Sequence, residues 1–138
     1  MGGWDGRAVK LVLDTHALIW SANTEQFDRL SPAARDALDD RTNEVFVSAA
    51  SAWEVALKHR RDRLPEGERI VRNWPALVDK LGANDLPVSW EHGLLAGAFP
   101  SEHRDPFDRI IAAQAIIEDA HLVTADRSMR GFGAQLLW

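Results

Sequence analysis

The stretch "VKLVLDTHALIWSA", Val9 to Ala22, changes character at a single residue. Val9 to Leu13 is a short run of valine, leucine and one lysine, the pattern of a strand buried on both faces, and it ends in an acid, Asp14. "THALIWSA" then has helical composition. A strand that gives way to a helix in this manner is the repeating unit of a parallel sheet, and the pattern recurs along the chain. "EVFVSA" (Glu44 to Ala49) reads as a second strand, followed by a helix over "SAWEVALKHRRDRL" (Ser51 to Leu64) whose basic far end suits the helix dipole. Between the two units, Ser31 as cap and Pro32 at the first helical position start a helix that runs to about Asp39.

Further along, "IVRNWPALVDKLG" (Ile70 to Gly82) predicts one helix closed by glycine, "DLPVS" a third strand and "WEHGLLAGAF" another helix. "HRDPFDRIIAAQAII" (His103 to Ile117) begins as a polar turn and becomes an almost wholly apolar helix, with Asp105, Pro106 and Asp108 at the N-cap, first and third positions. "HLVTAD" (His121 to Asp126) is a fourth strand and "AQLLW" (Ala134 to Trp138) a fifth. Strands alternating with helices at this spacing predict an α/β protein, a three-layer α/β/α sandwich around a mainly parallel sheet of four to five strands. One domain over residues 1–138 accounts for the length, with residues 1–8 read as a loose N-terminal tail.

Composition narrows the function. Hydrophobic residues at 46% and charged residues at 27% are those of a soluble globular chain, and no apolar run reaches the roughly eighteen residues of a membrane span. The opening "MGGWDGRAVK" has no apolar signal core. Zero cysteines exclude disulfides and thiolate metal sites, which fits a cytoplasmic location. A net charge of −5 argues against holding nucleic acid by bulk electrostatics, so any such contact has to be local.

Four acids occupy similar places. Asp14 and Asp126 end predicted strands, while Glu54 and Asp108 sit in the first turns of predicted helices. In open α/β sheets, ligands bind in the crevice outside the carboxyl ends of the strands, so the four are expected to converge. Each has a simpler explanation: Ser51 and Glu54 fit an S-x-x-E capping box, Asp105 to Asp108 fit a helix start, and Asp14 and Asp126 fit turns. Capping does not account for four acids on one rim, which would repel one another without a cation. Hard carboxylate oxygens suit Mg²⁺ or Mn²⁺, and phosphoryl or phosphodiester transfer is the chemistry that uses such a pocket.

"LVLDTHALIW" (Leu11 to Trp20), "VSAASAWEVALK" (Val47 to Lys58), "HRDPFDRIIAAQAI" (His103 to Ile116) and "LVTADRSM" (Leu122 to Met129) resemble, in order, the motifs of PIN-domain proteins of the VapC toxin type. The resemblance covers nearly the whole chain. It implies a Mg²⁺- or Mn²⁺-dependent ribonuclease, usually a homodimer, silenced by an antitoxin whose tail covers the active site. Carried over residue by residue, it puts the acidic site on Asp14, Glu54, Asp108 and Asp126. Asp14 and Asp108 are then expected to hold a first ion directly. Glu54 would orient or deprotonate the attacking water, and Asp126 would ligate through water or complete a second site. Asp105 becomes a cap or a supporting residue, and Thr124 is expected to bond a ligand water or the substrate phosphate.

Other residues carry weaker signals. "KHRRDR" (Lys58 to Arg63) is the densest basic run, and Lys58, Arg60, Arg61 and Arg127 are candidate RNA contacts, against the alternatives of a solvated face or an antitoxin contact. Arg109 and Arg127 each follow a candidate ligand, where they either neutralise substrate charge or pair with a nearby acid. His16 and His103 read as structural, and Trp53 as a residue of the core or an interface unless it stacks on a base. Two rival readings remain. One is a PIN fold that binds antitoxin or RNA without cutting, for which loss of an acid is expected. The other is a metal-dependent phosphotransfer domain, for which the D-x-D after the first strand or the lysine on the last strand is missing.

Overall fold

The computed structural model describes residues 7–138. Most of the expected tail, residues 1–6, lies outside the described residues, and Arg7 and Ala8 lead into the first strand. Five parallel strands form one sheet in the order β3-β2-β1-β4-β5: β1 (Lys10–Leu13), β2 (Glu44–Ser48), β3 (Ala83–Leu86), β4 (His121–Val123) and β5 (Gln135–Leu137). The helices are α1 (Thr15–Ala22), α2 (Pro32–Asp39), α3 (Ala49–Arg60), α4 (Gly67–Arg72), α5 (Trp74–Leu81), α6 (Trp90–Ala98) and α7 (Pro106–Ile117).

Alternation along the strands produces the layers. In β1, Leu11 and Leu13 face a cluster containing Leu18, Ala34, Val55, Ile70 and Leu77, so α1, α2, α4 and α5 cover that side. Val12 faces the other way, into Ala96, Phe99, Ile111, Ala112 and Ala115 of α6, α7 and the residue after α6. All three β1 residues are fully buried, as the apolar run predicted for a strand with helices on both faces. The three-layer α/β/α sandwich expected from the sequence is the observed architecture, and its sheet is wholly parallel. No helix among the described residues is long and apolar enough to cross a membrane.

Three boundaries differ from the sequence reading, each for a local reason. The helix expected from Ser51 starts at Ala49, because the Ser48 side chain at the end of β2 accepts from the Ala50 N–H and is the true cap. Ser51 is therefore inside the helix, and its hydroxyl pairs with that of Thr15 at 3.0 Å. The single helix expected over residues 70–82 is two, α4 and α5, meeting at Asn73. Pro75 offers no N–H, and its ring would clash with the carbonyl four residues earlier, so the first helix stops. The third strand lies earlier than "DLPVS" and ends at Leu86, since Pro87 has no N–H to give the ladder. Gly82 closes α5 with φ 63°, as its position predicted.

Asn43 joins the start of β1 to the end of α2. Its buried side chain accepts from the Val9 N–H at 2.9 Å and donates to the Ala37 carbonyl at 2.8 Å. Asn43→Ala strands both groups, so we expect a loss of roughly 1–3 kcal/mol in chemical denaturation with the m-value unchanged.

Candidate active site

The sheet grows outward from β1 in both directions, so the crossover that follows β3 returns to the far side of β1 and opens a crevice between the carboxyl ends of β1 and β4. Asp14 immediately follows β1. One of its carboxylate oxygens caps α1 by accepting from the Ala17 N–H at 2.8 Å, and the other accepts from the Thr124 hydroxyl at 2.5 Å. Thr124 follows β4, and its hydroxyl oxygen accepts in turn from the Asp126 N–H at 3.0 Å. Asp126 caps the 3₁₀ turn Arg127–Phe132 and accepts from both the Ser128 N–H, at 2.9 Å, and the Ser128 hydroxyl, at 2.6 Å.

Two helices deliver the other acids. Glu54 is buried in the second turn of α3, with Oε2 2.7 Å from the Lys58 ammonium one turn on. Its Oε1 is buried without a hydrogen-bond partner among the described residues. Asp108 lies in the first turn of α7, whose cap is Asp105, accepting from the Phe107 and Asp108 N–H groups at 2.9 and 3.3 Å. Asp14, Glu54, Asp105, Asp108 and Asp126 all line one cavity of about 310 Å³, with His16, Lys58 and His103 in its wall. Ligand atoms of His103, Asp108 and Asp126 lie within 4.8 Å of one another.

A model of the PIN domain matches residues 11–134. The chain belongs to the PIN-domain family. Ribonuclease VapC22 of Mycobacterium tuberculosis is 35% identical over 125 residues, which cover 87% of this chain and 89% of that one. Ribonuclease VapC16 of the same organism is 34% identical over 58 residues, 42% of this chain. Among solved structures, VapBC2 from Rickettsia felis, bound to a DNA fragment from its promoter, matches with a TM-score of 0.66 at 16% identity, covering 94% of this chain and 97% of that chain. FitAcB from Neisseria gonorrhoeae matches with a TM-score of 0.61 at 17% identity, covering 93% and 96%. At these identities the two structures share the fold with this PIN domain.

Several side chains of this PIN domain stand differently from the sequence reading. Thr124 is buried, with its proton on Asp14 and its oxygen toward Asp126, so it joins two acids rather than meeting a ligand. Arg109 turns away from the acids and donates to the carbonyls of Ala96, Phe99, Ser101 and His103 at 2.7–3.1 Å, so it holds the loop before α7 instead of neutralising substrate. Of the basic candidates, Lys58 lines the acidic cavity, whereas Arg60, Arg61 and Arg127 do not.

His103, read from sequence as a turn residue, belongs to the site. Its Nε2 is 2.8 Å from Asp108 Oδ2, and its Nδ1 is 3.1 Å from the Ser128 hydroxyl. Because Ser128 gives its proton to Asp126, Nδ1 must carry one itself. A second proton then sits between Nε2 and Asp108. No motif spacing flags this residue; its five-residue offset from Asp108 acquires meaning only once the Asp-Pro turn folds it back.

The electrostatics follow from burial. Asp14 is pushed above the ordinary carboxylate range by desolvation, which outweighs its two hydrogen bonds. Asp108 is raised to about 6, again by burial first, with Asp105 and Glu54 adding to the rise and the His103 hydrogen bond opposing it. Asp126 is exposed and held below the usual value, chiefly by the Ser128 hydroxyl.

A carboxyl raised in the folded state contributes stability that is complete below its unfolded pKa and disappears as pH rises through the folded value. For Asp108 that window runs from 3.8 to about 6. We expect Asp108→Asn to reduce the fall in metal-free stability between pH 4 and pH 7 by on the order of 2 kcal/mol, measured by urea titration across pH. An unchanged pH slope would show that Asp108 is not the strained acid.

Proposed function

We propose that this chain is a divalent-metal-dependent endoribonuclease, the toxin of a toxin–antitoxin pair, acting in the cytoplasm. The observation that carries this reading is the convergence of Asp14, Glu54, Asp108 and Asp126, from four separate stretches of chain, on one cavity. The ribonuclease names of the Mycobacterium tuberculosis relatives support the substrate class. The Rickettsia felis structure, a complex by its name, supports an antitoxin partner. A PIN fold kept only for binding has no need of all four acids.

The donor set fits Mg²⁺ or Mn²⁺. It consists of hard oxygens with one imidazole and no thiolate, it includes a buried carboxylate oxygen of Glu54 without a partner, and it holds two acids whose charged forms are disfavoured by burial. Asp108 and Asp126, whose ligand atoms lie close together, would hold the ion in place of the Asp14 and Asp108 pair that the resemblance implies, with Asp14 and Glu54 completing the oxygen set and His103 within reach. When bound, such an ion supplies Lewis acidity at a phosphate oxygen and offsets the accumulated negative charge.

The chain's own groups do the rest. Glu54, oriented by the Lys58 ammonium, accepts the proton of the attacking water. Asp14, fixed by Ala17 and Thr124, presents a carboxylate in one orientation. Hydrolysis of the P–O3′ bond leaves a 5′-phosphate and a 3′-hydroxyl. A second copy of the chain is the remaining proposed partner. The exposed Trp90 and Leu94, one turn apart on α6 and 74% and 67% accessible, support a protein-covered face there.

The test is cleavage of labelled single-stranded RNA, with matched DNA as comparison. Chelation should abolish cutting and Mn²⁺ restore it. Glu54→Gln should slow it by about 10²–10⁴-fold. Asp14→Asn should abolish activity with the native circular dichroism retained, since the side chain keeps its size while one of its two acceptor oxygens becomes a donor. Activity indifferent to chelator and to both substitutions would sink the reading.

A further inference from the structure

A second cleft, of about 360 Å³, adjoins the acidic cavity and shares Glu54, Lys58 and Asp105 with it. Its apolar surface comes from Leu57, Pro106 and Phe107, and its rim carries Arg61, Arg63 and Arg104. These arginines come from two distant stretches of the chain, the end of α3 with the turn after it and the loop before α7. None of the three makes a salt bridge among the described residues, unlike Lys58 and Arg72, which pair with glutamates one turn away. What sets these three guanidinium groups apart is that they gather around one cleft in a chain of net charge −5. The aromatic component is also built: Phe107 packs edge-on against Trp53 at 4.7 Å between ring centroids, and Trp53 is 59% exposed.

We propose that this cleft is the subsite for the nucleotide next to the scissile phosphate of a single-stranded RNA, its base lying against Phe107 and its phosphate held by Arg61, Arg63 and Arg104. The inference rests on the nuclease reading for which phosphate is cut, and it goes beyond it in naming how the strand is held. Cationic side chains around an aromatic surface are the general means of binding single strands without reading sequence. Continuity through Glu54 and Lys58 joins the subsite to the acids, so a strand in the cleft has its neighbouring phosphate over the carboxylates. The arginines also revise the basic candidates: Arg61 remains, Arg63 and Arg104 enter, and Arg60 and Arg127 lie outside the cleft.

The experiment measures binding separately from cutting. Fluorescence anisotropy of a labelled single-stranded RNA dodecamer, with EDTA present, is recorded across a salt series for the full chain and its variants. The triple variant Arg61→Ala, Arg63→Ala, Arg104→Ala should weaken binding at least tenfold and reduce the slope of log affinity against log salt by about 0.7, the loss of one phosphate contact on a single strand. Phe107→Leu, which keeps an apolar side chain, should weaken binding by about tenfold with the slope unchanged. Native circular dichroism and melting temperature qualify both variants. Failure of the parent to bind the dodecamer, or equal affinity and slope in parent and triple variant, overturns the proposal. Retained RNA affinity with lost binding of an acidic peptide of glutamate, leucine and tryptophan overturns it too, and assigns the cleft to a protein. Failed cleavage with these binding effects intact would remove the nuclease reading while leaving the RNA subsite.

Discussion

A buried carboxylate at the end of the central strand organises this molecule. Asp14 is only 5% exposed, and an ionised group so placed persists only if its oxygens are satisfied. The Ala17 N–H satisfies one and the Thr124 hydroxyl the other, while the Asp14 N–H pairs with the Val123 carbonyl. These bonds join the end of β1, the start of α1 and the loop after β4. Thr124 then receives the Asp126 N–H, so the position of a second acid depends on the first. The strand order makes this possible, since β1 and β4 are neighbours although more than a hundred residues separate Asp14 from Thr124.

The remaining acids depend on helices that cannot shift. In α7, Ile111, Ala112, Ala113, Gln114 and Ala115 are all fully buried, and the small side chains let the helix lie close to the sheet. A carboxylate in the first turn of such a helix inherits its rigidity. Arg109 extends the effect outward, because four hydrogen bonds to carbonyls between Ala96 and His103 fix the chain that carries His103 to Asp108. Burial that immobilises the acids also raises Asp14 and Asp108, so the arrangement is least comfortable when empty of positive charge.

What could be read from sequence was local. The apolar run before Asp14 identified β1 and the Asp-Pro start identified α7, whereas only the family resemblance preferred Asp108 over Asp105 for the site. The start of α3 was misread because two serines compete for the same role: Ser51 with Glu54 has the form of a capping box, yet Ser48, at the last position of β2, makes the bond. Only the length of β2 decides between them, and that depends on pairing with β1 and β3. The roles of His103, Ser128, Thr124 and Arg109 were illegible for a deeper reason. Each is defined by a partner brought near by the fold rather than by a neighbour on the same helix or strand.

The overall charge is likewise a poor guide to what this surface can hold. At about 0.1 M salt, exposed charges are screened over roughly 10 Å, so a phosphate responds to the groups beside it and little to the sum over the chain. Here the signs are sorted: acids gather in the crevice at the strand ends, and Arg61, Arg63 and Arg104 surround the adjoining cleft. Lys58 stands at the boundary, lining both and pairing with Glu54. A polyanion drawn to the arginines meets the acids only where a cation has offset them. The sorting of charge between the two clefts, rather than the net −5, therefore decides where on this surface an anion or a cation can be held.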